Sequence, residues 1–164
     1  YQTLLEVSRE VQAEGWSFNK ESRYEMTPDT SNQIPIPNNV LQIDATANSS
    51  NINLDLVRRD GKLYDKIDHS YTFTNKVECD ITWLLDWVDL PTPIADYIVS
   101  RAASIVSSRL VGDTDQYTIL QQKEQFSRAM AMEYECNQGD YTFFGHPGDT
   151  NRYISYKPYN ALYR

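Results

Sequence analysis

Asp80, Asp86 and Asp89 fall within one short stretch of the chain, interleaved with Trp83 and Trp87. Paired carboxylates beside aromatic rings can do glycoside chemistry: one acid protonates the leaving oxygen, a second acts as base or nucleophile, and the indoles stack the sugar. The same tryptophans, with the chain's twelve tyrosines, would serve a carbohydrate- or cell-surface-binding module without hydrolysis. A simpler account is available, because acids spaced by two along a regular strand form a solvated face and need no chemistry to explain them. Position separates these readings. A binding module concentrates its aromatics on loops or on one sheet face, whereas many of the aromatics here lie in the C-terminal segment.

Other reactive groups are sparse. Cys79 and Cys136 are far apart and fall in different predicted elements, which is neither a disulfide framework nor metal spacing. The expectation is two half-buried thiols in a reducing compartment. His69 and His146 both sit in turn-like surroundings. There is no phosphate-binding glycine loop, and no cofactor or metal is expected.

Charge narrows the partners. The formal net charge is −8. Residues 1–137 carry 12 basic and 21 acidic residues, net −9, and the remainder carries net +1. No basic residue falls between Lys76 and Arg101, a span that holds Glu78, Asp80, Asp86, Asp89 and Asp96. That is not a nucleic-acid grip, which needs basic groups to displace phosphate counterions. No apolar run approaches the ~20 residues that span a bilayer, and no signal peptide is expected. The chain starts at Tyr1 without Met, already in a helical pattern, so a cropped or processed start is expected.

The elements that must position these residues follow from periodicity. Leu4, Val7 and Val11 make one stripe of an amphipathic helix over residues 1–14, and Gly15 stops it. Trp16 and Phe18 then alternate with polar residues as the chain becomes extended. From about Ser17 to Trp87 the period is two. Ile34-Pro35-Ile36-Pro37 cannot be a central strand, Val40 to Asp44 is a short strand, and Ile52, Leu54 and Leu56 share one face of the next. Asp60-Gly61 is the strongest hairpin signal in the chain. Val77 to Trp87 alternates most cleanly, with Glu78, Asp80, Thr82 and Asp86 turned one way, which predicts an antiparallel sheet with a wet, acidic face.

Helical periodicity returns at Pro91, with Thr92 as cap and Pro93 at the first helical position. Ile94, Tyr97, Ile98, Ala102, Ile105 and Arg109 form its stripe, and Gly112 ends it. Asp113 and Gln116 open a third helix, from about Thr114 to Asn137, roughly 35 Å long. Its apolar positions are Ile119, Leu120, Phe126, Met130 and Tyr134. So thin a stripe suits a helix that stands partly free or packs on another subunit, with ordinary surface exposure of its polar middle turns as the simpler account.

The last 27 residues, 138–164, carry Tyr141, Phe143, Phe144, Tyr153, Tyr156, Tyr159 and Tyr163 among helix-breaking glycines and prolines. An aromatic segment without regular structure needs a surface to hold, on its own body or on a partner. The fold expected is α+β. A helical bundle with three long helices comes from 1–15 and 90–137, a small antiparallel β subdomain is inserted at 16–89, and 138–164 forms an extended arm.

Taken in order, several fragments resemble the tail tubular protein A family, the head-to-tail adaptors of short-tailed podoviruses. They are the first helix leading into Gly15-Trp16-Ser17-Phe18-Asn19, the hairpin Asp60-Gly61 with Leu63-Tyr64-Asp65, and the acidic strand running into Asp89-Leu90-Pro91. Then come Tyr97-Ile98-Val99 with Arg101-Ala102, and a long helix with Gln122, Glu124 and Met132-Glu133-Tyr134-Glu135 before Gly139 and Tyr141. The resemblance covers roughly residues 1–145. It implies a structural virion protein with no catalytic motif, made in the host cytoplasm and placed at the head-tail junction. Such proteins form a twelve-subunit ring between the capsid portal and the tail nozzle, with genomic DNA passing through the lumen and no membrane contact. Family members carry a further helical segment upstream of the one that starts here; this chain as written departs from that pattern.

Overall fold

The computed structural model describes residues 1–46, 54–110 and 114–139. Helix α1 (Gln2–Ala13) buries Val7 and Val11, with Leu4 packed beside them. It stops at Gly15, whose φ is +76°. That left-handed conformation is what favours glycine here; the end of the Lys20 side chain, 2.4 Å from where a Cβ would stand, is free to swing aside. The next residues are not extended as expected. Asn19 N and Lys20 N both bond to the Trp16 carbonyl, closing a tight turn that tucks Trp16 and Phe18 into the helical core.

Three strands form one antiparallel sheet in the order β1-β5-β2. They are β1 (Lys20–Met26), β2 (Val40–Ala45) and the central β5 (Val77–Trp83). A two-stranded hairpin joins β3 (Leu56–Arg59) to β4 (Lys62–Asp65). Asp60 and Gly61 hold φ of 51° and 71° at its tip, the left-handed pair that a two-residue turn between twisted strands demands. Ile34 and Ile36 are buried against these strands, while Pro35 makes only an isolated bridge with Lys62. Proline's missing N–H thus sits outside the ladder. Of the strand expected over Ile52–Leu56 only Leu56 belongs to β3; Leu54 and Asp55 precede it without pairing in a strand, and Ile52 lies outside the described residues.

The alternating segment is shorter than its pattern. β5 ends at Trp83, and a 3-10 turn occupies Trp87–Asp89. Leu84 N and Leu85 N turn away to the Asn39 carbonyl and to Gln12 Oε1, so the polypeptide leaves the sheet to rejoin the helices.

Helix α2 (Thr92–Leu110) starts one residue before the expected position, since Ile94 N and Ala95 N bond to Pro91 O. It buries Ile94, Tyr97, Ile98 and Ala102 against α1 and Trp16, and Arg109 is exposed. The expected stop at Gly112 and cap at Asp113 lie outside the described residues. Helix α3 (Thr114–Gly139) leaves its thin apolar stripe outside the chain's own core, and packs through other residues. It buries Ser127, Ala131, Glu135 and Gly139 at strict four-residue spacing, not Ile119, Phe126 and Met130. Small residues face small residues here, because α2 offers Ser100 and Ser104 in return. Ser100 Oγ and Ser127 Oγ share a buried hydrogen bond of 2.9 Å. The helices meet through short side chains, which brings their backbones close and leaves the large apolar side chains of α3 pointing elsewhere.

Two separate apolar cores result. One gathers Met26, Ile34, Val40, Leu63, Phe73 and Ile81 within the β part; the other gathers Val7, Val11, Trp16, Ile94, Tyr97 and Ile98 among the helices.

Candidate functional site

Two polypeptide crossings link the β part to the helices, at residues 15–20 and 83–91, and they are bound to each other by buried amides. Asn19 is 1% exposed and Gln12 is fully buried. Asn19 Nδ2 donates to Gln12 O at 2.9 Å and to Trp83 O at 2.8 Å, while its Oδ1 accepts from Trp16 N at 2.9 Å. Trp83 N donates to Asn19 O. Gln12 clasps the second crossing from the helix side: its Oε1 accepts from Leu85 N at 2.8 Å, and its Nε2 donates to Leu85 O at 3.2 Å. From α3, the buried Glu135 accepts Ser17 N at 2.9–3.0 Å on both oxygens and Ser17 Oγ at 2.8 Å. Trp16 Nε1 donates to Val11 O at 2.7 Å. Fully satisfied buried polar groups of this kind specify one arrangement, because any slip strands a donor or acceptor away from water.

The acids named from the sequence do not assemble into a site. Glu78 and Asp80 lie on β5 and are half-buried; Asp86 and Asp89 lie beyond the strand, before and within the 3-10 turn, and are exposed. Thr82, expected on the wet face, is buried. Asp80 has a structural task. β1 carries one extra residue between Glu21 and Tyr24 opposite β5, and Arg23 there has φ of 59°. The bulge frees Arg23 N, which donates to Asp80 Oδ1 at 3.0 Å, and Thr46 Oγ1 donates to the same oxygen at 2.8 Å. The acidic face does extend sideways in a way the strand pattern could not reveal. Glu25 pairs opposite Glu78, and Asp44 opposite Asp80. Like charges facing across a ladder are unfavourable, and Lys76 Nζ offsets one of them by bonding Glu25 at 2.8 Å.

A groove of about 500 Å³ beside this face is lined by Lys20, Gln42, Asp44, Asp55, Lys66 and Asp80 among others. Asp55 bonds Lys66 at 2.7 Å. None of its described lining residues is aromatic, so Trp83 and Trp87 do not provide it with a sugar platform. Trp83 instead meets Tyr24 edge to face at 5.4 Å between centroids. Among the described residues, no three His, Cys, Asp or Glu side chains are placed to hold a metal ion, and no described helix is long and apolar enough to cross a membrane.

The thiols differ from the expected half-burial. Cys79 is fully buried on β5, while Cys136 is exposed on α3. Burial, reinforced by the Asp80 and Asp44 carboxylates, pushes the Cys79 thiol up to about 12. His69 sits in a turn with φ of 51°. His146 and the arm residues Tyr141, Phe143, Phe144, Tyr153, Tyr156, Tyr159 and Tyr163 lie outside the described residues.

What sequence reasoning half saw is an open apolar face on the α2/α3 hairpin. On α2, Val99 and Leu110 are exposed with the half-buried Val106 between them; on α3, Ile119, Phe126 and Met130 are exposed at the same spacing of seven and four. Leu110 is 80% exposed, Ile119 66% and Phe126 68%. α2 turns Ile98 and Arg101 toward α1, where Arg101 bonds Glu10 at 2.6 Å, and turns Ser100 and Ser104 toward α3. Its remaining flank carries Val99, Val106 and Leu110. The α3 stripe lies about 100° around the helix from Ser127 and Ala131, on the flank away from Glu135 and Ser17. Both stripes therefore open on one side of the hairpin, opposite α1. Contiguous exposed apolar surface of this kind marks an interaction site. Trp87 and Val88, 44% and 88% exposed, add a second apolar point on the 3-10 turn.

The tail tubular protein (Tube) family matches residues 1–141, the whole of the described structure. Tail tubular protein A of Klebsiella phage KP34 is 28% identical over 136 residues, covering 82% of this chain and 70% of that protein. The fragments that carried the resemblance in the sequence all fall inside the matched region. This chain thus belongs to the tail tubular protein family and is a structural protein of a bacteriophage tail.

Proposed function

We propose that the protein is the subunit of a head-to-tail adaptor ring, joining the capsid portal to the tail nozzle around the channel through which DNA leaves. The observation that carries this reading is the open apolar face of α2 and α3, which lies within the family-matched region and is not covered by any described part of the chain. A structural protein that leaves such a face open while Gln12, Asn19 and Glu135 lock its internal joint by hydrogen bonds is built to be completed by neighbours. Repeating a head-to-tail contact closes a ring when the rotation is right; twelve subunits is the number the family resemblance implies.

Charge fits the channel. A conduit lined by acidic protein repels phosphate and leaves the polymer free to slide, whereas basic groups would hold it. The net −9 of residues 1–137 supports that role, with Glu25, Asp44, Glu78 and Asp80 as its densest patch. The arm residues Tyr141, Phe143, Phe144, Tyr153, Tyr156, Tyr159 and Tyr163 supply contacts to neighbouring proteins. The reading assigns the protein no enzymatic step.

The test is to mix purified protein with the portal of its own phage and image the complex in negative stain. A symmetric collar on one portal face is expected. A monomer that leaves the portal bare at every concentration and salt tested ends this reading.

A further inference from the structure

The open α2/α3 face needs an occupant, and the chain itself carries one of matching chemistry. We infer that residues 140–164 of one subunit lie lengthwise along the α2/α3 face of the neighbouring copy, their aromatic rings covering Val99, Leu110, Ile119, Phe126 and Met130. This rests on the reading that the protein self-assembles.

Three observations select the arm over other occupants. First, the face is long and narrow. Each helix contributes a single row of large apolar side chains, and such rows give a pair of whole subunits little of the ~800 Å² per partner that a stable interface needs. A slim segment lying in the shallow trough between two helices covers both rows at once. Second, length permits it. α3, 26 residues long, spans ~39 Å, while residues 140–164 could reach ~80 Å when extended. Third, charge does not oppose it. Residues 140–164 hold Arg152, Lys157 and Arg164 against Asp140 and Asp149, net +1, and α2 with α3 carries five acids and four bases, net −1.

The direction in which α3 ends points to the neighbour rather than to the same chain. Gly139 is buried, one turn beyond Glu135, which is held by Ser17. Gly139, the last described residue, thus lies on the covered flank, across the helix from the open stripe. An arm of one subunit laid on the face of the next is a heterologous contact, the kind that propagates round a ring. Tyrosine suits the task, since its ring covers the apolar row and its hydroxyl stays at the wet rim.

Two lysines report the contact. Lys123 is exposed on α3 between Ile119 and Phe126, and Lys157 stands in the arm between Tyr156 and Tyr159. An equal mixture of ¹⁵N-labelled and unlabelled full-length protein at high concentration is treated with a short lysine-reactive crosslinker and digested. The expected product is a Lys123–Lys157 link joining one heavy and one light peptide. The double variant Phe126→Asp, Leu110→Asp should reduce that link about tenfold or more, the loss expected for two buried apolar contacts, with its circular dichroism melt unchanged. A Lys123–Lys157 link found only within one isotope would place the arm on its own chain. A mixed Lys123–Lys123 link without an arm link would mean that helices pair with helices. Lys157 linked only to lysines of the β part, or not at all, would give the face another occupant. Each of these three results overturns the inference. The adaptor reading is judged separately: a collar on the portal without the arm link leaves it standing, and the arm link without a collar does the reverse.

Discussion

The joint between the β part and the helices and the open face of α2/α3 invert the usual arrangement of a globular protein. The joint is buried yet polar: Gln12, Asn19 and Glu135 sit among backbone groups with matched donors and acceptors. The face is exposed yet apolar, with Leu110, Ile119 and Phe126 in water. The physical reasons differ. A polar joint stabilises little more than an apolar one would, but it tolerates only one geometry, because a misaligned amide loses its partners in a medium without water. An apolar face is indifferent to small displacements and gains from whatever covers it. Fixed geometry inside and adhesive surface outside is the division of labour that a subunit of a repeating assembly requires.

The largest expected effect breaks the joint. Asn19→Ala leaves Trp16 N, Gln12 O and Trp83 O without their partner, a loss of about 3 kcal/mol. For a chain of this size that lowers the melting temperature by roughly 10 °C, measurable by calorimetry. If Asn19→Ala melts within a degree or two of the parent, the joint is not what holds the two parts in register.

The open face should behave in the opposite way. Phe126→Asp replaces an exposed ring by a charge, so the isolated subunit should keep its melting temperature to within the ~0.5 kcal/mol typical of surface changes, while assembly on the portal is lost. A variant that unfolds would show Phe126 to be part of the subunit's own core; one that assembles normally would show the face to be idle.

The thiols sharpen the same contrast on a smaller scale. Cys136 should react at once with an aromatic disulfide reagent at neutral pH, and Cys79 only after denaturation, giving two kinetic classes. The sign of the pH effect follows from the raised thiol. Below about pH 9 Cys79 is protonated both folded and unfolded and makes no pH-dependent contribution. Between about 9 and about 12 the unfolded chain loses the proton while the folded one keeps it, so stability falls as pH rises. Cys79→Ala should flatten that alkaline slope in a denaturant titration.

How much of this was legible in the sequence depended on which signals are local. Gly15, Asp60-Gly61 and the α2 stripe were readable because each depends on neighbours in the chain: a left-handed residue, a two-residue turn, a 3.6-residue period. On α3 the thin stripe was legible as one the chain leaves uncovered, but the residues the helix does bury were not. Ser127, Ala131 and Gly139 carry no hydropathy signal; they are buried because α2 presents Ser100 and Ser104 at close range, a fact of tertiary packing. β5 was drawn too long because Leu85 and Asp86 resume its alternation after Leu84, whereas the bonds of Leu84 N to Asn39 O and of Leu85 N to Gln12 Oε1 end it. Asp80 drew attention as a carboxylate among tryptophans, but its work is to satisfy the bulge at Arg23, which no single-strand pattern reveals. The joint itself was invisible, since Gln12 and Asn19 look like any other polar residue until the two crossings meet. The expectation that a thin-striped third helix faces another subunit did lead toward the open face, although not through the residues that α3 buries.

The central claim is that the joint is closed in the free subunit and the helical face closes only on assembly. Hydrogen exchange of the free protein and of the same protein bound to its portal tests this directly. The account predicts that amides of Val99–Leu110 and Ile119–Met130 gain protection on assembly, while Gln12–Asn19 and Trp83–Leu85 are protected equally in both states. Protection gained at Gln12–Asn19 with none along α2 and α3 would contradict it.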